Sequence, residues 1–286
     1  MLRASNWPLE WPLVAIVAAG VLYFLGGRAS VTPGDATKRA RGGAFYLGLV
    51  TLALAVDSPV DAYATTLFWV HMVQHILLMM VAPPLLLLGR PWPRIVRPFP
   101  IGARRPVARS LLVGERLSPV RAAARWVASP WPAFVLFNGM LLLWHLPVLY
   151  DLTLKDGPVH NLEHALFFGS ALLFWAHLLP SPRPQLTDLG RVAYGAGAVI
   201  VSWLLAVVLG LAPHALYSGY ADLATRPGGL SALADQQLAA GVMWVPGSVP
   251  LTIALFFAVS SWLEPATDSR RTRRLRPAED LRPREI

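Results

Sequence analysis

Residues 62–88 read Ala62-Tyr-Ala-Thr-Thr-Leu-Phe-Trp-Val-His71-Met-Val-Gln-His75-Ile-Leu-Leu-Met-Met-Val-Ala-Pro83-Pro84-Leu-Leu-Leu-Leu88. At about 1.5 Å per residue the stretch is long enough to cross a hydrocarbon core of about 30 Å. It contains no Asp, Glu, Lys or Arg, yet it carries two imidazoles four residues apart. Four residues make about one helical turn, so both rings project from one face, roughly 6 Å from each other. Titratable groups within hydrocarbon cost a few kcal/mol each and mark a functional site by default. The stretch therefore predicts a membrane helix with a polar working face.

The rest of the chain follows the same pattern. Of its 286 residues 55% are hydrophobic and 14% charged, with a mean hydropathy of +0.49, the composition of a polytopic membrane protein. Apolar runs at 10–27, 43–58, 131–150, 158–180, 190–214 and 236–263 join 62–88 to give seven predicted spans in an all-α fold. The run near the N-terminus has its basic flank after it (Arg28, Lys38, Arg39, Arg41), opposite to a signal peptide, and reads as a retained span. Prolines at Pro83-Pro84, Pro130, Pro132, Pro147, Pro180 and Pro213 punctuate the spans, and Asp57-Ser-Pro59 closes the second.

Charge sets the expected orientation. Of 25 Lys and Arg, all but Arg3, Lys155 and Arg226 fall in the segments 28–41, 89–129, 181–191 and after 264. The positive-inside rule then puts the N-terminus outside and the C-terminus in the cytoplasm, which an odd number of spans requires. The formal charge of +9 thus reflects helix orientation and contact with anionic lipid headgroups, with no basic–aromatic stripe for nucleic acid. Trp7, Trp11, Tyr63, Trp131 and Tyr150 read as interfacial aromatics. The domain organisation is a transmembrane domain over 1–264, with a basic cytoplasmic loop at 89–129 whose 103–127 part suits an amphipathic interfacial helix. A disordered basic cytoplasmic tail follows over 265–286.

Cysteine is absent, so any metal must be held by imidazole, carboxylate, thioether or backbone. A second histidine pair, His160 and His164, repeats the four-residue spacing. With this topology every histidine except His177 lies in the outer half of the bundle. Counting from Ala62, His71 and His75 lie about 13 and 20 Å deep. His160, His164 and His145 lie shallower, with His214 and Asp235 at the mouth, so one site or two along a path are both open. Met243 in the outer part of the last span is a further candidate ligand, whereas Met79 reads as core and His177 as structural. Thioether with imidazole suits Cu(I), and imidazole with carboxylate suits zinc or iron. His160-Asn-Leu-Glu163-His164 also follows the His-x-x-Glu-His order of inverted zinc peptidases, in which the glutamate is general base. Alternatively, Glu163 orients a histidine of another helix.

The blocks His71-Met-Val-Gln-His75 through Pro83-Pro84 to Leu88-Gly-Arg-Pro91, Leu143-Trp-His-Leu-Pro147, His160-Asn-Leu-Glu-His164 and Asp235-Gln-Gln-Leu-Ala-Ala-Gly-Val-Met-Trp244 resemble, in order, the multi-spanning CtaG family of caa3-type cytochrome c oxidase assembly factors. The resemblance covers most of 43–263. It implies a seven-helix, multi-pass protein of the bacterial plasma membrane that handles copper for a haem–copper oxidase subunit, with no catalytic activity. It carries ligand roles to His71, His75, His145, His160, Glu163, His164, Asp235 and Met243, whereas His214 rests on topology alone. The implied partners are membrane lipid, the oxidase subunit and an extracytoplasmic copper donor. The residue types by themselves also fit a seven-helix zinc metallohydrolase, or a haem- or quinone-binding electron-transfer protein with histidines on facing helices.

Overall fold

Pro59, Pro91, Pro130, Pro147 and Pro246 each stand in the first turn of a helical segment. Their rings preset φ, and their missing N–H is one that a first turn leaves unpaired. The computed structural model describes residues 11–28, 36–181 and 184–263, and all regular structure among them is helical. The helices are α1 (Trp11–Arg28), α2 (Ala36–Val56), α3 (Pro59–Ala64), α4 (Phe68–Ile76), α5 (Ala82–Leu88), α6 (Pro91–Val96), α7 (Ile101–Leu112), α8 (Ser118–Val127), α9 (Pro130–Trp144), α10 (Pro147–Lys155), α11 (Gly157–Leu178), α12 (Asp188–Leu211), α13 (Ser218–Ala221), α14 (Ala232–Trp244) and α15 (Val249–Leu263). Trp7, the Trp11 side chain and the 265–286 tail lie outside the described residues.

Among the described residues, four helical stretches are long and apolar enough to cross a membrane: Ala36–Ala64, Phe68–Leu88, Asp188–Leu211 and Ala232–Leu263. A fifth arises if α8 and α9, bent by 69°, count together. α1 is shorter, and His160, Asn161, Glu163 and His164 dilute the apolar surface of α11.

Boundaries depart from expectation in informative places. Asp57-Ser-Pro59 does not end a span. Ser58 Oγ accepts from Val60 N at 3.0 Å and donates to the Leu54 carbonyl at 2.5 Å. The chain thus satisfies its own polar groups and stays helical to Ala64. The reversal falls instead at residues 65–67, so residues 62–64 close the preceding stretch. His71 and His75 are consequently three and seven residues into α4, and His160 and His164 are three and seven residues into α11. Both pairs lie about 4.5 and 10.5 Å from the start of their helices, which replaces the deep-and-shallow grading with a single level. The span expected at 131–150 breaks after Trp144, with His145 at the end of α9. The span expected at 236–263 lies within one helical stretch, Ala232–Leu263, that tightens to a 3-10 turn at Pro246–Ser248.

Pro83 and Pro84 sit inside a continuous helical path. Neither has an N–H to offer the carbonyls of Met79 and Met80 four residues earlier. The helix widens into a π turn over Leu77–Val81, and the Trp175 indole N–H of α11 donates to the stranded Met79 carbonyl at 2.8 Å. The same indole locks α11 against the helix that carries His71 and His75. At the same end of α11, buried Arg191 donates to the Leu178 carbonyl from Nε at 3.1 Å and Nη2 at 3.0 Å, a cationic cap at a helix C-terminus.

α1 belongs to this assembly. Tyr23 stacks on Phe45 with ring centroids 4.0 Å apart and donates its hydroxyl to the Gly89 carbonyl at 3.0 Å. A methyl group at Gly26 would stand 1.8 Å from the Arg94 carbonyl oxygen, so only glycine lets α6 approach α1 this closely. The 103–127 region forms most of α7 and all of α8, whose Leu111, Leu112, Val120 and Trp126 are exposed.

Candidate metal centre

His71 and His75 from α4 and Glu163 and His164 from α11 converge, with one ligand atom of each lying within 4.8 Å of the others. All four are buried, His71 and Glu163 completely. His71 Nε2 is 3.9 Å from Glu163 Oε2, and His75 Nε2 is 3.6 Å from Glu163 Oε1. Both separations exceed a hydrogen bond. Six buried atoms of this quartet have no hydrogen-bond partner: His71 Nε2, both nitrogens of His75, both oxygens of Glu163 and His164 Nε2. Buried polar atoms are rarely left unpaired, and each stranded one costs about 1–3 kcal/mol. One ligand atom from each of the four residues lies close enough to the others to share a cation.

The surroundings set the tautomer of His71. Tyr220, in the loop between α12 and α14, donates its hydroxyl to the Ala64 carbonyl at 2.5 Å. Its oxygen must therefore accept from His71 Nδ1, 2.9 Å away. The proton rests on Nδ1, and the Nε2 lone pair faces Glu163, the usual arrangement for an imidazole ligand held by a second group. The loop itself is anchored by Asp151, which accepts from Ser218 N at 3.1 Å, Ser218 Oγ at 2.5 Å and Gly219 N at 3.0 Å. It is tied again by Gln236, which accepts from Leu216 N at 2.7 Å and donates to the Leu209 carbonyl at 2.9 Å. Phe68, Tyr150, Tyr217 and Tyr220 then form an aromatic roof beside His71.

The other sequence candidates fall into three groups. His160 flanks the quartet, with its ring centroid 5.1 Å from that of His71 and its Nε2 buried and unpaired. His145 lies on the other side, 6.1 Å from His75, and Met243 is buried beyond it. Asp235 and His214 stand apart. The Asp235 carboxylate accepts from the backbone N–H groups of Phe68 at 2.9 Å and Trp69 at 3.0 Å. It caps α4, whose own N-cap residue Leu67 has no side-chain acceptor, and the negative charge suits a helix N-terminus. His214 is exposed, and it is its backbone carbonyl that meets Gln236, at 3.5 Å.

The His-x-x-Glu-His reading also changes. In the peptidase pattern both histidines bind zinc and the glutamate stands off. Here Glu163 is inside the ligand group and His160 outside it. Tyr150 is fully buried against His71 rather than interfacial. His177 has a structural contact as expected, its Nε2 lying 2.8 Å from the Ala128 carbonyl. Tyr220, Asp151, Trp175 and Met72 were missed. Two tyrosines within the otherwise loop-like 212–231 segment were the available signal for Tyr220.

A family model described as cytochrome c oxidase caa3 assembly factor matches residues 21–264. Uncharacterized proteins of Mycobacterium bovis and Mycobacterium tuberculosis are each 28% identical over 278 residues, covering 93% of this chain and 40% of theirs. An uncharacterized protein of Mycobacterium leprae is 25% identical over 224 residues, covering 77% of this chain and 33% of its own. The chain thus spans less than half the length of these relatives. No solved structure matches it at a significant level.

Proposed function

The chain belongs to the cytochrome c oxidase caa3 assembly factor family, and from that premise we propose that the buried histidine–glutamate quartet holds copper in transit to the oxidase. The family role is assembly and not catalysis. The observation that carries the copper reading is a buried cluster with unpaired nitrogens and carboxylate oxygens, in which one ligand atom of each residue lies within 4.8 Å of the others. Three imidazoles and a carboxylate accept divalent copper or zinc, copper the more tightly. Copper is favoured because the resemblance to this family implies a role at the copper centre of the oxidase. Haem finds little support, since the cavity beside His75 and His145 measures about 20 Å³, room for one water or ion.

In this reading the protein is a seven-span protein of the bacterial plasma membrane, taking copper from a donor on the outer side and passing it to an oxidase subunit, with lipid around its apolar faces. The four long stretches, with α1, α9 and α11, account for seven crossings. A reporter fused after Ile286 is expected to be active only in the cytoplasm, and one inserted near Pro227 only outside. The reverse pattern would remove the outward supply.

Deleting the gene is expected to leave oxidase protein and haem in the membrane with a deficit of copper and reduced activity, partly restored by copper in the medium. Oxidase with its full copper content in the deletion strain would refute the assignment. Glu163→Gln, which keeps one acceptor oxygen but loses the charge of a ligand, is expected to weaken metal affinity by more than the roughly 10–100-fold that loss of a partner behind a ligand costs, read by chelator competition.

A further inference from the structure

We infer that a second, softer metal site lies directly beside the quartet, built from thioethers and imidazole and suited to a monovalent cation such as Cu+. A cavity of about 20 Å³ is lined by Met72, His75, Met79, Met80, His145 and Met243. All six are buried, and four of the chain's 6 methionines meet at this one point. Scattered core methionines pack as ordinary hydrophobes, but here one contact departs from ordinary packing. His145 Nδ1 lies 2.7 Å from the Leu141 carbonyl, which can only accept, so the ring proton sits on Nδ1. Nε2 is then a bare lone pair, and it faces Met72 Sδ at 3.5 Å. Thioether sulfur has no proton to give. Two electron-pair donors thus confront each other at a buried position.

A cation resolves the confrontation. With metal–nitrogen and metal–sulfur bonds of about 2.0 and 2.3 Å, a separation of 3.5 Å subtends roughly 110° at a shared ion, an ordinary ligand angle. Thioether and imidazole together select Cu+ over divalent ions. The π turn over Leu77–Val81 contributes, because its wider spiral brings the consecutive Met79 and Met80 to the same cavity. His75 lines this cavity and belongs to the quartet, and neither of its ring nitrogens has a partner. The two sites therefore share a wall, with a harder nitrogen–oxygen site on one side and a softer sulfur–nitrogen site on the other. Their placement on one delivery path rests on the reading of the quartet as a cargo site, whereas the softer site itself does not.

Purified full-length protein in detergent, loaded anaerobically with Cu+ under reductant, tests the site by X-ray absorption. Sulfur scatterers at about 2.3 Å are expected in addition to nitrogen. The triple variant Met72→Leu/Met79→Leu/Met243→Leu, which nearly conserves volume, is expected to lose the sulfur signal and one equivalent of Cu+ while still binding Zn2+ at the quartet. Bound Cu+ with only nitrogen and oxygen neighbours in the unsubstituted protein would overturn the softer site, whatever the variant does, and would leave the quartet standing. Sulfur-bound Cu+ that persists when His71→Ala has removed Zn2+ binding would support both sites. Zn2+ binding unchanged in His71→Ala, with sulfur-bound Cu+ still present, would refute the quartet alone.

Discussion

His75→Ala is expected to abolish stoichiometric divalent-metal binding, measured as the metal-to-protein ratio of purified protein after desalting. His75 stands at the centre of the arrangement. Its ring approaches His71 at 4.3 Å, His164 at 6.0 Å and His145 at 6.1 Å between centroids, and Glu163 lies 3.6 Å from its Nε2. Removing it takes a donor from the quartet and a wall from the neighbouring cavity. His71→Ala is expected to have the same effect. The double variant should be no worse than either single one, because ligands of one ion act as a unit. His177→Ala and His214→Ala should leave the ratio unchanged, the first ring being tied to the Ala128 carbonyl and the second exposed. A full complement of metal in His75→Ala would remove the centre from this part of the molecule.

The second large effect concerns stability. Asp235→Ala strands the N–H groups of Phe68 and Trp69, both now bonded to the carboxylate at 2.9 and 3.0 Å, at a position where Leu67 offers no substitute. Each stranded buried donor costs about 1–3 kcal/mol, and the lost charge at the helix N-terminus adds up to about 2 kcal/mol. The expected loss is about 2–8 kcal/mol, comparable with a typical stability of about 5–15 kcal/mol, and it would appear as a markedly lower melting temperature in detergent. Asp235→Asn retains one acceptor oxygen and is expected to fall between, with its metal content intact. Should Asp235→Asn instead lose metal at an unchanged melting temperature, the carboxylate is a ligand and its capping role is secondary.

What the sequence made legible follows from which signals are local. Helices were readable because an apolar run in hydrocarbon has no alternative to intrahelical bonding, and the histidine pairs were readable because four-residue spacing needs nothing beyond one turn. Breaks were harder. Asp57-Ser-Pro59 carries every turn signal, yet the Ser58 hydroxyl bonds forward and back and keeps the path helical. Thr65-Thr-Leu67 carries no Gly or Pro and is where the chain reverses. That displacement hid the common level of the two pairs. Long-range partners were also hidden. Asp235 looked like a ligand because its partners are backbone groups 166 and 167 positions away. Met72, one residue past His71 and rotated by about 100° on the helix, fell off the face that the pairs defined, and only the tertiary fold brings it to His145.

Tyr220 has a consequence that reaches beyond the tautomer it sets. One hydroxyl joins three things: the His71 ring, the Ala64 carbonyl at the reversal, and the loop of residues 212–231. On the proposed reading, occupancy of the centre and the seating of that loop are linked, and linkage is reciprocal. The factor by which the closed loop tightens the ion equals the factor by which the ion holds the loop closed. A partner that drew residues 212–231 aside would loosen the ion's hold, on the order of 10–100-fold, without touching a single ligand.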